Sequence, residues 1–141
     1  MKKILGFLLF ALASTAAGSD GITLPAEGPS SAASIRNVEL QLIQSKKFQK
    51  SGDKYGRAYA LINPAADSFI YIFTTPAERA HPAMVKMTIH PMADPRHPKD
   101  DDIETYGAFA GKAEDFSAWS YRIGREVGRG FAEAVINNSS D

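Results

Sequence analysis

The apolar and polar positions divide this chain into three kinds of pattern: an apolar run at the front, alternating segments in the middle, and one long stripe of helical period at the end. Residues 4–13 are almost unbroken apolar, behind Lys2 and Lys3 and ahead of the small residues at 14–19. That is the three-part layout of a secretory signal peptide. The run is roughly half the ~20 apolar residues that a spanning helix needs. The pattern therefore predicts a leader, residues 1–18, removed after Ala13, Ala16 or, preferably, Gly18. Residues 19–33 are rich in Gly, Pro, Ser and Ala and read as a flexible mature N-terminus, with a short extended piece at 22–24.

Residues 35–48 carry two periods at once. Val38, Leu40 and Leu42 alternate as in a strand, whereas Ile35, Val38 and Leu42 fit one face of a helix. The alternation of 38–42 favours a strand. Residues 55–62 and 83–90 also alternate, and 68–75 is dense in aromatic and β-branched side chains (Phe69, Ile70, Tyr71, Ile72, Phe73), the signature of a central strand covered on both faces. Residues 91–102 read as a polar loop and 106–110 as a short last strand. From 113 to 135, Phe116, Trp119, Ile123, Val127 and Phe131 recur at three- and four-residue steps, an amphipathic helix. Glu114 and Asp115 suit its first turn. Gly124, Gly128 and Gly130 each weaken it by up to about 1 kcal/mol, so a bend is expected near 128–130. The sum is one α+β domain over 34–136, an antiparallel meander of four or five strands packed against a C-terminal helix, with a frayed tail at 137–141.

Composition narrows the function classes. The chain has no cysteine, which excludes disulfides, thiol catalysis and a lipid-anchored cysteine. Without Lys2 and Lys3 it carries 14 basic and 16 acidic side chains; nucleic-acid binding, which relies on a basic excess, is not expected. No later stretch is long enough to span a membrane. The expected location is the periplasm or outside the cell.

All three histidines precede proline: His81, His90 and His97. Proline holds the preceding residue extended, so each imidazole belongs at a strand end or loop. His90, His97, Asp94 and Asp100 lie close in sequence and could hold a divalent metal, although their spacing matches no zinc motif. The plainer reading is a solvated loop. An EF-hand is excluded, because the glycine and the closing glutamate are missing around positions 100–104.

The segment 74–82 gathers Thr74, Thr75, Glu78, Arg79 and His81. An imidazole can act as a general base near neutral pH, which makes His81, Thr75 and Glu78 the catalytic candidates. No nucleophile elbow, phosphate loop or credible Ser-x-x-Lys accompanies them. The plainer reading is a connection in which His81 and Arg79 satisfy local backbone. Arg122, Arg125 and Arg129 share a helix face, as a solvated ion-paired surface or as an anionic-partner patch. Trp119 and Tyr71 fit the core; a groove between sheet and helix would instead make Trp119, Tyr71 and Arg79 ligand-binding residues.

Tyr71-Ile72-Phe73-Thr74-Thr75-Pro76, Ala80-His81-Pro82-Ala83-Met84-Val85 and Tyr106-Gly107-Ala108-Phe109-Ala110-Gly111 together resemble a loosely defined group of small exported bacterial proteins. Its pattern is an aromatic strand, a Thr-Pro turn, an Ala-His-Pro element and a glycine-rich turn before the last helix. The resemblance covers about residues 55–121. It implies that strand order and, because the group has no assigned activity, transfers no catalytic residue. The glycine-containing helix end and the acidic triplet at 100–102 depart from it.

The function expected from these features is a small exported protein that binds an envelope protein, a peptide or a small ligand and needs no cofactor. An envelope hydrolase using His81 as base, and a divalent-metal binder through His90 and His97, are the alternatives.

Overall fold

The computed structural model describes residues 19–51, 56–63, 65–91, 97, 99 and 102–139, the last of these from 127 onward by backbone alone. The leader at 1–18, Asp94 and Asp100 lie outside the described residues. In chain order the elements are β1 (Gly28–Pro29), α1 (Ala32–Ser45), β2 (Gln49–Ser51), β3 (Arg57–Leu61), β4 (Ser68–Phe73), β5 (Ala83–Ile89), β6 (Ile103–Phe109) and α2 (Ala113–Ser139). They form one sheet ordered β1-β6-β5-β4-β3-β2.

Neighbouring strands are antiparallel from β2 to β6, but the sheet is not the expected four- or five-stranded meander. The sheet as a whole is six-stranded and mixed, because β1 adds to the outside of β6 in parallel, Gly28 beside Ala108 and Pro29 beside Phe109. Among the described residues the architecture is α+β with two helices rather than one. Alternation along β4 assigns the faces: Phe69, Tyr71 and Phe73 pack with Ile35, Val38 and Leu42 of α1, while Ile70 and Ile72 pack with Trp119 and Ile123 of α2. Side chains on a strand alternate between faces, so the helices lie on opposite sides. All six residues of β4 are buried, as its unbroken apolar run predicts.

The strand expected at 35–48 is a helix. Its apolar contacts follow the 3.6-residue period, Ile35, Val38 and Leu42 being buried and Leu40 and Ile43 about half exposed. Ser31 caps it, its hydroxyl accepting from the Ser34 amide at 3.0 Å. Burying those three aliphatic side chains contributes about 1.5–3 kcal/mol each; a strand would bury as many at 38, 40 and 42, so the α1-side core that accepts Ile35 decides between them.

The stretch read as a flexible mature N-terminus is also held in place. Ile22 is 2% exposed within the α1-side core. Thr23 exchanges two hydrogen bonds with the Gln41 side chain, at 2.8 and 2.9 Å, and the Tyr106 hydroxyl donates to the Pro25 carbonyl. At the far end α2 continues to Ser139, through the glycines at 128 and 130 and into the positions expected to fray. No helix among the described residues is long and apolar enough to cross a membrane.

Candidate functional site

At one end of the sheet the first half of α1 stands away from the β4–β5 turn and leaves a cleft of about 350 Å³. Ile35, Phe73, Pro76, Pro82 and Ala83 supply its apolar wall, and Arg36, Glu39, Arg57 and His81 its charged or titratable groups. Helical spacing places Ile35, Arg36 and Glu39 on neighbouring sides of α1. The cis His81–Pro82 peptide and the start of β5 close the opposite rim.

Within the cleft Glu39 and Arg57 form a two-point pair. Arg57 donates from Nε to Oε2 at 2.7 Å and from Nη2 to Oε1 at 3.0 Å. The Tyr59 hydroxyl donates to the same Oε2 at 2.7 Å, and Arg57 Nη1 donates to the Thr74 carbonyl at 3.1 Å. Burial alone would raise the Glu39 carboxyl, but the hydrogen bonds from Arg57 and Tyr59 outweigh it and hold it below the ordinary carboxylate range. Burial, and then the bond to Glu39, push the Tyr59 phenol well above its ordinary value. The carboxylate is charged and matched. Arg36 is exposed and engages no partner among the described residues.

His81 lies 2.8 Å through Nδ1 from Thr74 Oγ1. That hydroxyl is built into the base of the turn: the Ala83 amide donates to it at 3.0 Å, it lies 3.3 Å from the Ala83 carbonyl, and the Thr74 amide donates to the same carbonyl at 3.0 Å. Thr74 is 1% exposed. Its hydroxyl replaces a ladder carbonyl and orients the imidazole. Glu78 is turned to α2, where Arg122 Nη2 donates to it at 2.8 Å. Thr75 accepts the Glu78 amide at its carbonyl. Of the catalytic candidates, His81 alone lines the cleft. Arg79 is exposed on the turn and lies outside it.

Trp119 and Tyr71, the expected ligand-binding aromatics, are buried and do not line this cleft. Trp119 is 3% exposed beside Phe116, its Nε1 without a hydrogen-bond partner among the described residues. Tyr71 is fully buried, and its hydroxyl donates to Asp20. Asp20 belongs to a buried ion pair, with Lys86 Nζ 3.3 Å from its Oδ2 and the Ile22 amide donating to its Oδ1 at 3.2 Å. Lys86 sits in a cross-strand row on the α1 face, Tyr59–Tyr71–Lys86–Tyr106, with its ammonium 5.0 Å from the Phe69 ring centre and 5.4 Å from that of Tyr71.

His90 is held by two carboxylates: Nδ1 lies 2.8 Å from Asp67 Oδ1 and Nε2 lies 2.6 Å from Glu104 Oε2. The bond to Asp67, then that to Glu104, raises the imidazole above its ordinary value. With both nitrogens engaged in this way, His90 offers no lone pair to a metal unless one contact breaks. No group of three potential metal ligands occurs among the described residues.

The residues that sequence reasoning did not single out are Arg36, Glu39, Arg57, Asp20 and Lys86. Glu39 pairs with Arg57 across 18 positions and Asp20 with Lys86 across 66, beyond any local motif, and Arg36 engages no partner among the described residues that could have marked it. Reading 35–42 as a helix would have put Arg36 and Glu39 side by side. Comparison with protein-family models, with curated proteins and with solved structures gives no match.

Proposed function

We propose that this chain is a small exported binding protein, released from its leader near Gly18, whose ligand seat is the cleft between α1 and the β4–β5 turn. The observation that carries this reading is the combination at the cleft of an oriented imidazole with no usable nucleophile among the described residues. Hydrolysis through a base needs a hydroxyl or water held against the base and a stabiliser for the charge that develops. The hydroxyl within reach of His81 is that of Thr74, buried and bound into the sheet. Glu78, the carboxylate nearest in sequence, is bonded to Arg122. What remains is a half-apolar hollow with a few fixed polar groups, the usual form of a small-molecule seat.

A broader depression of about 580 Å³ lies where Asp20, Lys47, Asp67 and Phe69 meet. Two of its charged groups are matched, Asp20 with Lys86 and Asp67 with His90, and it is the more open of the two hollows, which favours the smaller cleft. The rival reading, an envelope hydrolase, draws on the 2.8 Å Thr74–His81 contact. Amide NMR of the mature chain against a set of small-molecule fragments separates the two, with ester turnover followed in parallel. The expected result is saturable shifts at Ile35, Phe73 and Ala83 and no ester turnover that depends on His81. Turnover abolished by His81→Ala would replace the binding reading with the hydrolytic one. For the export part, the periplasmic protein is expected to begin at Ser19; an intact Met1 in cytosolic material would defeat it.

A further inference from the structure

We propose that the cleft selects a small organic acid, its carboxylate received by Arg36 and His81 and its short apolar body lying on Ile35, Phe73 and Pro82. The proposal rests on the cleft being a ligand seat and adds the chemical class of the ligand.

The charges around the cleft decide the head group. Glu39 and Arg57 cancel through two parallel contacts, and the Tyr59 hydroxyl holds the pair. Arg36 is then the one guanidinium lining the cleft with no partner among the described residues. A guanidinium fork matches a flat carboxylate in two-point geometry. His81 supplies a second contact. When the Thr74 hydroxyl donates to Nδ1, the ring proton resides on Nε2, which bonds nothing else among the described residues and is available as a donor. Arg57 adds reserve capacity. Of five N–H groups it uses three, leaving one on each terminal nitrogen. A doubly charged phosphate is the poorer match, because one uncompensated cation faces it and the Glu39 carboxylate lies in the same wall.

Size and lining decide the rest of the ligand. About 350 Å³ is near the lower end for small-molecule sites. At roughly 30 Å³ per water-sized group, it takes on the order of ten non-hydrogen atoms. Ile35 of α1 and Phe73 of β4 are buried in one cluster and Pro82 is half-buried, so the floor is apolar and fixed. A carboxylate on a ring or a short alkyl chain satisfies both ends.

The test titrates the mature chain with phenylacetate, with its neutral amide phenylacetamide and with inorganic phosphate, reading amide shifts at the cleft. Phenylacetate is expected to bind saturably, phenylacetamide at least about tenfold more weakly, and phosphate without saturation. Arg36→Ala is expected to weaken phenylacetate about tenfold and leave phenylacetamide unchanged. Arg36 is exposed and bonds nothing among the described residues, so the variant should keep its thermal midpoint. Equal affinity for acid and amide would overturn the proposal while leaving the cleft a ligand seat. Phosphate binding as tightly as phenylacetate would overturn it by showing that the apolar floor is not read. The absence of any saturable cleft shift would overturn it outright. Turnover of phenyl acetate that requires His81, with Arg36-dependent phenylacetate binding intact, would instead remove the binding-only reading and leave the carboxylate site standing.

Discussion

Gly56 and Gly107 occupy positions where an added methyl group would collide, and they differ in what it meets. At Gly56 the obstacle is the Phe73 backbone carbonyl, and φ is +125°. At Gly107 it is the far end of the Phe116 ring, which packs α2 onto β6. A ring can shift and a strand carbonyl cannot. Gly107→Ala is expected to cost about 1–3 kcal/mol, and Gly56→Ala, with backbone strain added, about 2–6 kcal/mol; urea midpoints of the two variants should show that order. His90 gives a pH signature. Its two carboxylate contacts raise it above 6.5 in the folded state, so they stabilise fully below its ordinary value and less as pH rises through the folded one. The melting-temperature gap between the parent and His90→Gln should be widest below the ordinary imidazole value of 6.5 and should narrow as pH rises above it. A gap of constant size would mean that the contacts act by shape alone. The sequence could announce that His81 and His90 sit at strand ends, because the following proline does so. It could not announce Thr74, Asp67 or Glu104 as their partners, because the folded sheet makes those contacts.

The elements were legible where one period dominated and illegible where two coexisted. β4 showed itself through its continuous apolar run, and α2 through the Phe116–Trp119–Ile123 spacing. Residues 35–42 satisfied a strand and a helix about equally, and the deciding fact was non-local: the α1-side core accepts Ile35, Val38 and Leu42 and leaves Leu40 at 46% exposure. Charge substitution makes the difference measurable. Leu40→Lys should change stability by no more than about 0.5 kcal/mol, whereas Leu42→Lys should abolish cooperative folding, because it places an unpaired ammonium in the core. Equal sensitivity at both sites would contradict the helical assignment. β1 was the least legible strand. Two residues, one of them proline, carry no alternation, and their place comes from the open side of β6.

At the scale of the molecule, the segment just beyond the expected leader is part of the core. Asp20, Ile22 and Thr23 connect it to β5, to the α1-side cluster and to Gln41. Asp20→Ala should therefore cost about 3–5 kcal/mol by leaving Lys86 buried without its counter-ion. Asp20→Ala/Lys86→Met should recover much of that loss, and thermal denaturation of the single and double variants would measure the coupling. Equal stability of the two variants would show that the charge pair is immaterial. Composition misjudged this region because Gly, Pro and Ser report local preference, whereas Asp20 is fixed by a lysine 66 positions later. The pairing of Gly28 with Ala108 carries a consequence for a chain that crosses a membrane front end first. The strand that arrives earliest has no neighbour until the strand emerging near the end is through. Closure spans some eighty residues, a long-range step that slows folding. Were the chain exported as proposed, it would be handed over as a half-built sheet with the β5 edge open and β1 unpaired, and the interval before β6 fills that gap is when a chaperone, or a second unfinished copy, has its best opportunity to take the vacant place.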